Sequence, residues 1–186
     1  QTPNLDRLAA TGTRFENFFC VSPVCSPARA SFLTGRIPSQ HGVHDWLKKG
    51  NIDDPEGQYR GKDRPIEYLK GINGFTDYLA RDGYTCGLSG KWHLGDSPQF
   101  RSYAHGFDES LSHLHAASMY LPTDDPRVVN AIPKVNPVDR FLWAAEPWGV
   151  RFNDGEVFKP DRYMTDYLTD HALRVIESNR NRPFFL

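Results

Sequence analysis

Val24-Cys25-Ser26-Pro27-Ala28-Arg29-Ala30-Ser31-Phe32-Leu33-Thr34-Gly35-Arg36 is the stretch from which the rest of the chain can be read. Ser26 is a good helix N-cap, and Pro27 suits a first helical position, where its missing N–H is no loss. Ala28 to Leu33 are compatible with helix and Gly35 can end it, so the spacing predicts a helix over 27–34. Cys25 is then expected just outside a helix N-terminus, where free N–H groups and the positive end of the dipole favour an anion. Arg29 lies one turn along and can reach back with a planar, permanent charge. Taken alone, the Cys25–Arg29 spacing fits either a small oxyanion site or a buried cysteine beside a capped helix.

The 186 residues carry a formal net charge of −1 and are 39% hydrophobic. That is enough for one globular core and gives no general attraction for nucleic acid. No apolar run of about 18 residues is present to span a membrane, and no leader pattern is read at Gln1. Cys20, Cys25 and Cys86 form no zinc-type pair; Cys20 and Cys86 can pair or stay reduced.

The predicted order of elements is α/β. A helix is expected over 3–11, opened by Thr2 and Pro3, with Leu5, Leu8 and Ala9 as its apolar face. Thr13 to Val21, rich in Phe15, Phe18 and Phe19, reads as a strand. Residues 36–64 read as a polar surface loop, with His41 and His44 as surface histidines rather than pocket residues. A helix over 74–82, Gly83 and a strand over 84–90 follow. They lead into Gly90-Lys91-Trp92-His93-Leu94-Gly95, charge at the end of a strand where open α/β sheets gather ligands. Residues 109–160, with six prolines, read as an irregular insertion in which Phe141, Trp143 and Trp148 pack. Met164, Tyr167, Leu168, Ala172, Val175 and Ile176 recur at helical spacing and predict a core-facing helix over 161–178. Phe184-Phe185-Leu186 reads as a strand.

Cys-x-Pro-x-Arg followed by Ala-Ser-Phe-Leu-Thr-Gly-Arg resembles the activation motif of the type I, formylglycine-dependent sulfatases. Thr2-Pro3-Asn4-Leu5-Asp6-Arg7-Leu8-Ala9, the Gly83-Tyr84…Gly90-Lys91-Trp92-His93 pattern and His105-Gly106-Phe107-Asp108 are similar to further stretches of that family. The resemblance covers most of 1–112 and about 160–186. Cys86 departs from it, since the family more often has Ser or Thr there.

The resemblance implies a partial alkaline-phosphatase-like three-layer sandwich with a mostly parallel central sheet. Strands 13–21, 84–90 and 183–186 would lie in that sheet. Residues 1–186 would be one piece, the N-terminal one, of a single sulfatase catalytic domain. Cys25 would be oxidised to formylglycine by a formylglycine-generating enzyme, and its hydrate would displace the alcohol from a sulfate ester and then release sulfate. Arg29 would hold that group, Lys91 neutralise sulfate oxygens, and His93 orient or protonate. Lys91, His113 and His115 would contact substrate, a sulfated small molecule or glycan. The family binds a divalent ion, usually Ca2+, and Cys25 as formylglycine would be its ligand here, the other ligands lying outside the chain. These residues alone would be inactive and would hold metal weakly. Cys25, Arg29, Lys91 and His93 would converge on a polar cleft just wide enough for sulfate. A secreted, periplasmic or lysosomal-like location would suit the family. Hydrolysis of phosphate or phosphonate monoesters, or ligand binding without turnover, is compatible with the same motifs.

Overall fold

The computed structural model describes residues 2–45, 69, 71–95, 98–113, 118–122, 124–129 and 148–186. The strand predicted over 84–90 is β1, Thr85–Lys91, an inner strand of a five-stranded sheet. Its neighbours are β2 (Glu109–His113) on one side and β5 (Phe184–Phe185) on the other, both parallel to it. The sheet extends from β2 through β3 (Val150–Phe152) to β4 (Val157–Phe158) in antiparallel steps, giving the order β4-β3-β2-β1-β5. Four strands therefore run one way and β3 runs against them. The insertion expected over about 109–160 thus contains three strands of the central sheet and is not wholly irregular.

Five helices are described: α1 (Pro3–Thr11), α2 (Cys25–Thr34), α3 (Pro38–His41), α4 (Phe75–Arg81) and α5 (Met164–Asn179). Alternation along β1 sets two faces. Gly87 faces α5, where an added Cβ would come within 2.9 Å of Val175, and Ser89 Oγ donates to the Leu168 carbonyl at 2.7 Å. Cys86 points the other way and meets the Thr76 carbonyl of α4. α2 packs beside α4 through Phe32 and Phe75, edge to face at 5.6 Å. Ala30, Leu33, Val43, Leu69, Cys86, Leu94 and Phe107 form the core on this side, and Leu111, Val150 and Met164 that on the α5 side. With helices on both faces of the sheet the result is the expected three-layer sandwich.

The family-like turn at 105–108 locks β2 to β1. Asp108 accepts from the Cys86 N–H through Oδ2, and its own N–H donates to the Cys86 carbonyl, both at 2.8 Å. Gly106 is required there, because its φ is +80° and an added Cβ would lie 2.6 Å from the α4 backbone.

Several expectations need correction. Residues 13–21 form no strand: Phe15, Phe18 and Phe19 are exposed, and no described strand lies beside them. Aromatic strand propensity is a fit to a half-buried pleated surface, which this segment lacks. α1 forms as expected but buries nothing, so it covers no part of the sheet. The loop expected over 36–64 contains α3, and His41 is buried; its Nε2 lies 2.8 Å from Ser31 Oγ and its Nδ1 accepts from the Val43 N–H. Residues 46–68 lie outside the described residues. α5 starts at Met164 rather than Asp161, and its buried stripe takes in His171 and Asn179 while Ile176 is 42% exposed. Both polar residues have partners: His171 Nε2 is 3.0 Å from Glu109 Oε1, and Asn179 bonds the Val175 carbonyl and Arg182.

Candidate active site

α2 begins two residues earlier than its sequence suggests. Val24 is the N-cap and Cys25 the first helical residue, so Ser26 is free of the capping role. The Ala28 N–H closes the first helical bond on the Val24 carbonyl, and the Val24 N–H is taken by Ser22 Oγ at 3.1 Å. The N–H groups of a helix's first turn point out of its N-terminal end. Gly35 ends the helix in the left-handed conformation, donating to the Ser31 carbonyl.

Ser26 is fully buried and joins this helix end to the loop after β1. Its Oγ donates to the His93 carbonyl at 3.0 Å and lies 3.4 Å from His93 Nδ1. Arg29 makes the second tie, with Nη1 donating to the Lys91 carbonyl at 2.6 Å. Burial lowers the Arg29 pKa and proximity to Cys25 opposes the shift; a guanidinium stays charged throughout. Two side chains from the first turns of α2 therefore hold the carboxyl end of β1, and two motifs far apart in sequence meet as expected.

Cys25, Arg29 and Lys91 line one cavity of about 660 Å3. It is not a polar slot fitted to sulfate. Phe32, Leu33, Phe75, Leu88, Phe107, Phe185 and Leu186 also line it, and it runs along β1 beside β5. His93 does not line this cavity. It is 4% exposed, adopts a left-handed φ of +59°, and stands against Ser26 behind the helix end. Trp92 anchors the same loop, donating from Nε1 to the Phe100 carbonyl at 2.8 Å and packing edge to face on Phe107.

Lys91 also lines a second cavity, of about 500 Å3, together with His113. The two residues are register partners on β1 and β2, so parallel pairing sets them side by side. His115 lies outside the described residues, as do Phe141 and Trp143, while Trp148 packs on the core beside α5 as expected. His44 is exposed, as read from sequence. The three cysteines are all free thiols: Cys20 is exposed and borders the first cavity with Cys25, and Cys86 is buried.

Among the described residues no three His, Cys, Asp or Glu side chains gather as a metal site. Ca2+ takes six to eight oxygen ligands, and the described surroundings of Cys25 do not supply them. Sequence reasoning missed the bridging role of Ser26, whose type and position favoured a cap. The only signal was its place between Cys25 and Pro27.

The sulfatase family model matches residues 1–186. The chain is 41% identical over 191 residues to N-acetylgalactosamine-6-sulfatase of Homo sapiens, covering all of this chain and 33% of that protein. It is 29% identical over 187 residues to N-acetylglucosamine-6-O-sulfatase of Bacteroides thetaiotaomicron, covering 99% of this chain and 25% of that protein. The crystal structure of Ps i-CgsB superimposes with a TM-score of 0.69 at 28% identity, covering the whole chain and 38% of that structure. The chain belongs to the sulfatase family. It spans about a third of the length of the first of these curated relatives and a quarter of the second.

Proposed function

We propose that the protein carrying this chain is a sulfatase that hydrolyses sulfate esters of carbohydrates, with Cys25 as the precursor of a formylglycine nucleophile. One observation carries this: Cys25 opens α2 and shares a cavity wall with Arg29 and Lys91, while Arg29 is bonded to the Lys91 backbone. The family and the carbohydrate sulfatases among its relatives supply the reaction class.

As formylglycine, residue 25 would supply a hydrated aldehyde, a nucleophile that can also release sulfate afterwards. The remaining work falls to residues of the chain. Arg29 and Lys91 bring two positive charges to one wall, which offsets the anionic ester that otherwise repels attack. The first-turn amides of α2 add their dipole at residue 25. His93, read at first as a group facing the nucleophile, holds Ser26 and so positions the helix end; Lys91 is the group that meets sulfate. His113, beside Lys91, contacts the rest of the substrate. A formylglycine-generating enzyme would act on Cys25 during maturation. The divalent ion implied by the family would need oxygen ligands beyond those described, so no step is assigned to it. A secreted, periplasmic or lysosomal-like location fits this reading. No described helix is long and apolar enough to cross a membrane.

The test is turnover by the purified enzyme of an aryl sulfate, a sulfated N-acetylhexosamine and an aryl phosphate. Faster hydrolysis of the sulfates, lost in Cys25→Ala, supports the proposal. Preference for the phosphate, or binding without turnover, contradicts it.

A further inference from the structure

The cavity holding Cys25 and Arg29 and the cavity holding His113 are distinct, yet Ser89, Lys91 and Ala172 line both. Lys91 is the only charged residue common to the two. The second cavity differs in character. Ser118, Thr165 and Thr169 bring hydroxyls to it, His113 a ring nitrogen pair, and Tyr120 an aromatic ring, with no carboxylate among its described lining residues.

Tyr120 is built as a platform. Its ring stacks on Tyr163, with centroids 5.6 Å apart and planes 24° off parallel. Its carbonyl accepts from the Met164 N–H at 2.9 Å, which fixes the segment to the start of α5. Backed in this way, the side chain still leaves the residue 59% exposed at the cavity. An aromatic face that lines a cavity beside hydroxyls suits a ligand with an apolar face of its own. Phe15, Phe18 and Phe19 are exposed as well, but no described cavity or hydrogen-bonding group accompanies them.

We infer that this second cavity seats the sugar ring of the substrate, with Tyr120 stacking on the ring's C–H face and His113 bonding a ring hydroxyl. The inference rests on the sulfatase reading and deepens it. A sulfated sugar has an anionic end and a neutral hydroxyl-rimmed ring with an apolar face. Arg29 beside Cys25 in the first cavity, and the hydroxyls and aromatic face of the second, stand on either side of Lys91. A volume of about 500 Å3 is ample for such a ring. Hydroxyl donors and one aromatic face suit a polyol better than a second charged group, for which only Lys91 and His113 are present. Binding energy gained on the non-reacting ring would also help to place the ester at the reacting end.

The experiment measures KM for a sulfated N-acetylhexosamine disaccharide and, separately, the inhibition constant of inorganic sulfate, which probes the anionic end alone. Tyr120→Ala is expected to raise KM for the sugar by about tenfold, the scale of one lost aromatic contact, with sulfate inhibition unchanged. Tyr120→Trp should restore the KM, and His113→Ala should raise it too. A Tyr120→Ala enzyme with unaltered KM for the sugar overturns the subsite. So does an equal loss of sulfate inhibition, which would mark a structural role. If the enzyme without substitutions, carrying formylglycine at position 25, turns over no sulfate ester, the sulfatase reading fails instead. Calorimetry with the desulfated disaccharide on Cys25→Ala then decides the subsite: heat of binding that Tyr120→Ala removes supports it, and no binding overturns it.

Discussion

Helix α2 and the segment before it, residues 2–21, start from similar sequence credentials and end in opposite conditions. Both carry family-like stretches and both are rich in apolar side chains. In α2, Ala30 and Leu33 are buried, and Ser26, Arg29 and Ser31 each bond a group outside the helix. In 2–21, Leu8 is 68% and Phe19 83% exposed, and the side-chain bonds of α1, such as Thr2 to Asp6, are local. The difference is one of partners. A helix gains most of its stability in a protein from what its apolar face packs on. α2 has α4 and the β1 loop to pack on, while α1 has no described neighbour. A motif can therefore be recognised in residues whose packing it does not dictate.

The largest expected contrast is between two thiols that border one cavity. Cys25→Ala should abolish sulfate ester turnover in the purified enzyme while far-UV circular dichroism stays unchanged. Cys20→Ala, five residues earlier and exposed, should leave turnover within a few-fold. Equal losses from both would break the comparison. Lys91→Ala should also cut turnover strongly, because it removes the charge proposed to meet sulfate.

Next comes one substitution made in both regions. Leu94 is 1% exposed in the core under α2, so Leu94→Ala should cost about 2–5 kcal/mol in urea unfolding. Within residues 1–186, where α1 has no described neighbour, Leu8→Ala should stay within about 0.5 kcal/mol. A similar cost at Leu8 would show that α1 packs on something in solution. Ser26→Ala removes the bond that its buried hydroxyl donates to the His93 carbonyl and should cost about 1 kcal/mol. Thr2→Ala, whose hydroxyl meets only the neighbouring Asp6, should be close to neutral.

The smallest effect is on pH. Burial lowers the pKa of His41, His105 and His171 below their ordinary 6.5, with Asp77 opposing at His105 and Glu109 at His171. The folded state thus takes up protons less readily than the unfolded chain. The stability these groups contribute is present above pH 6.5 and is lost as pH falls toward their lowered folded values. Urea midpoints should drop between pH 7.5 and 5.5, and His171→Gln should flatten that slope. A midpoint that rises on acidification would contradict the burial seen in the structure.

What the sequence disclosed follows the same division. β1, α4 and α5 were legible because helix-then-glycine-then-strand and an unbroken apolar period are local signals. That Cys25, Arg29 and Lys91 would lie close together was legible from their motifs. The true start of α2 was not, because a serine before a proline is a stronger capping signal than the Val24 that caps it. The missing strand at 13–21 and the burial of His41 were not legible either. Both depend on what stands opposite, no described strand in one case and Ser31 in the other. The stripe on α5 could have been read as 164, 168, 171, 175 and 179, but His171 and Asn179 are polar, and nothing local announces Glu109 and Arg182 as their partners.

The account turns on residue 25 more than on any other. Mass spectrometry of the peptide spanning Cys25, from protein co-expressed with a formylglycine-generating enzyme and active on an aryl sulfate, tests it most directly. The predicted result is a formylglycine residue at position 25 in the active fraction. An unmodified cysteine at position 25 in enzyme that turns over sulfate ester at full rate would contradict it.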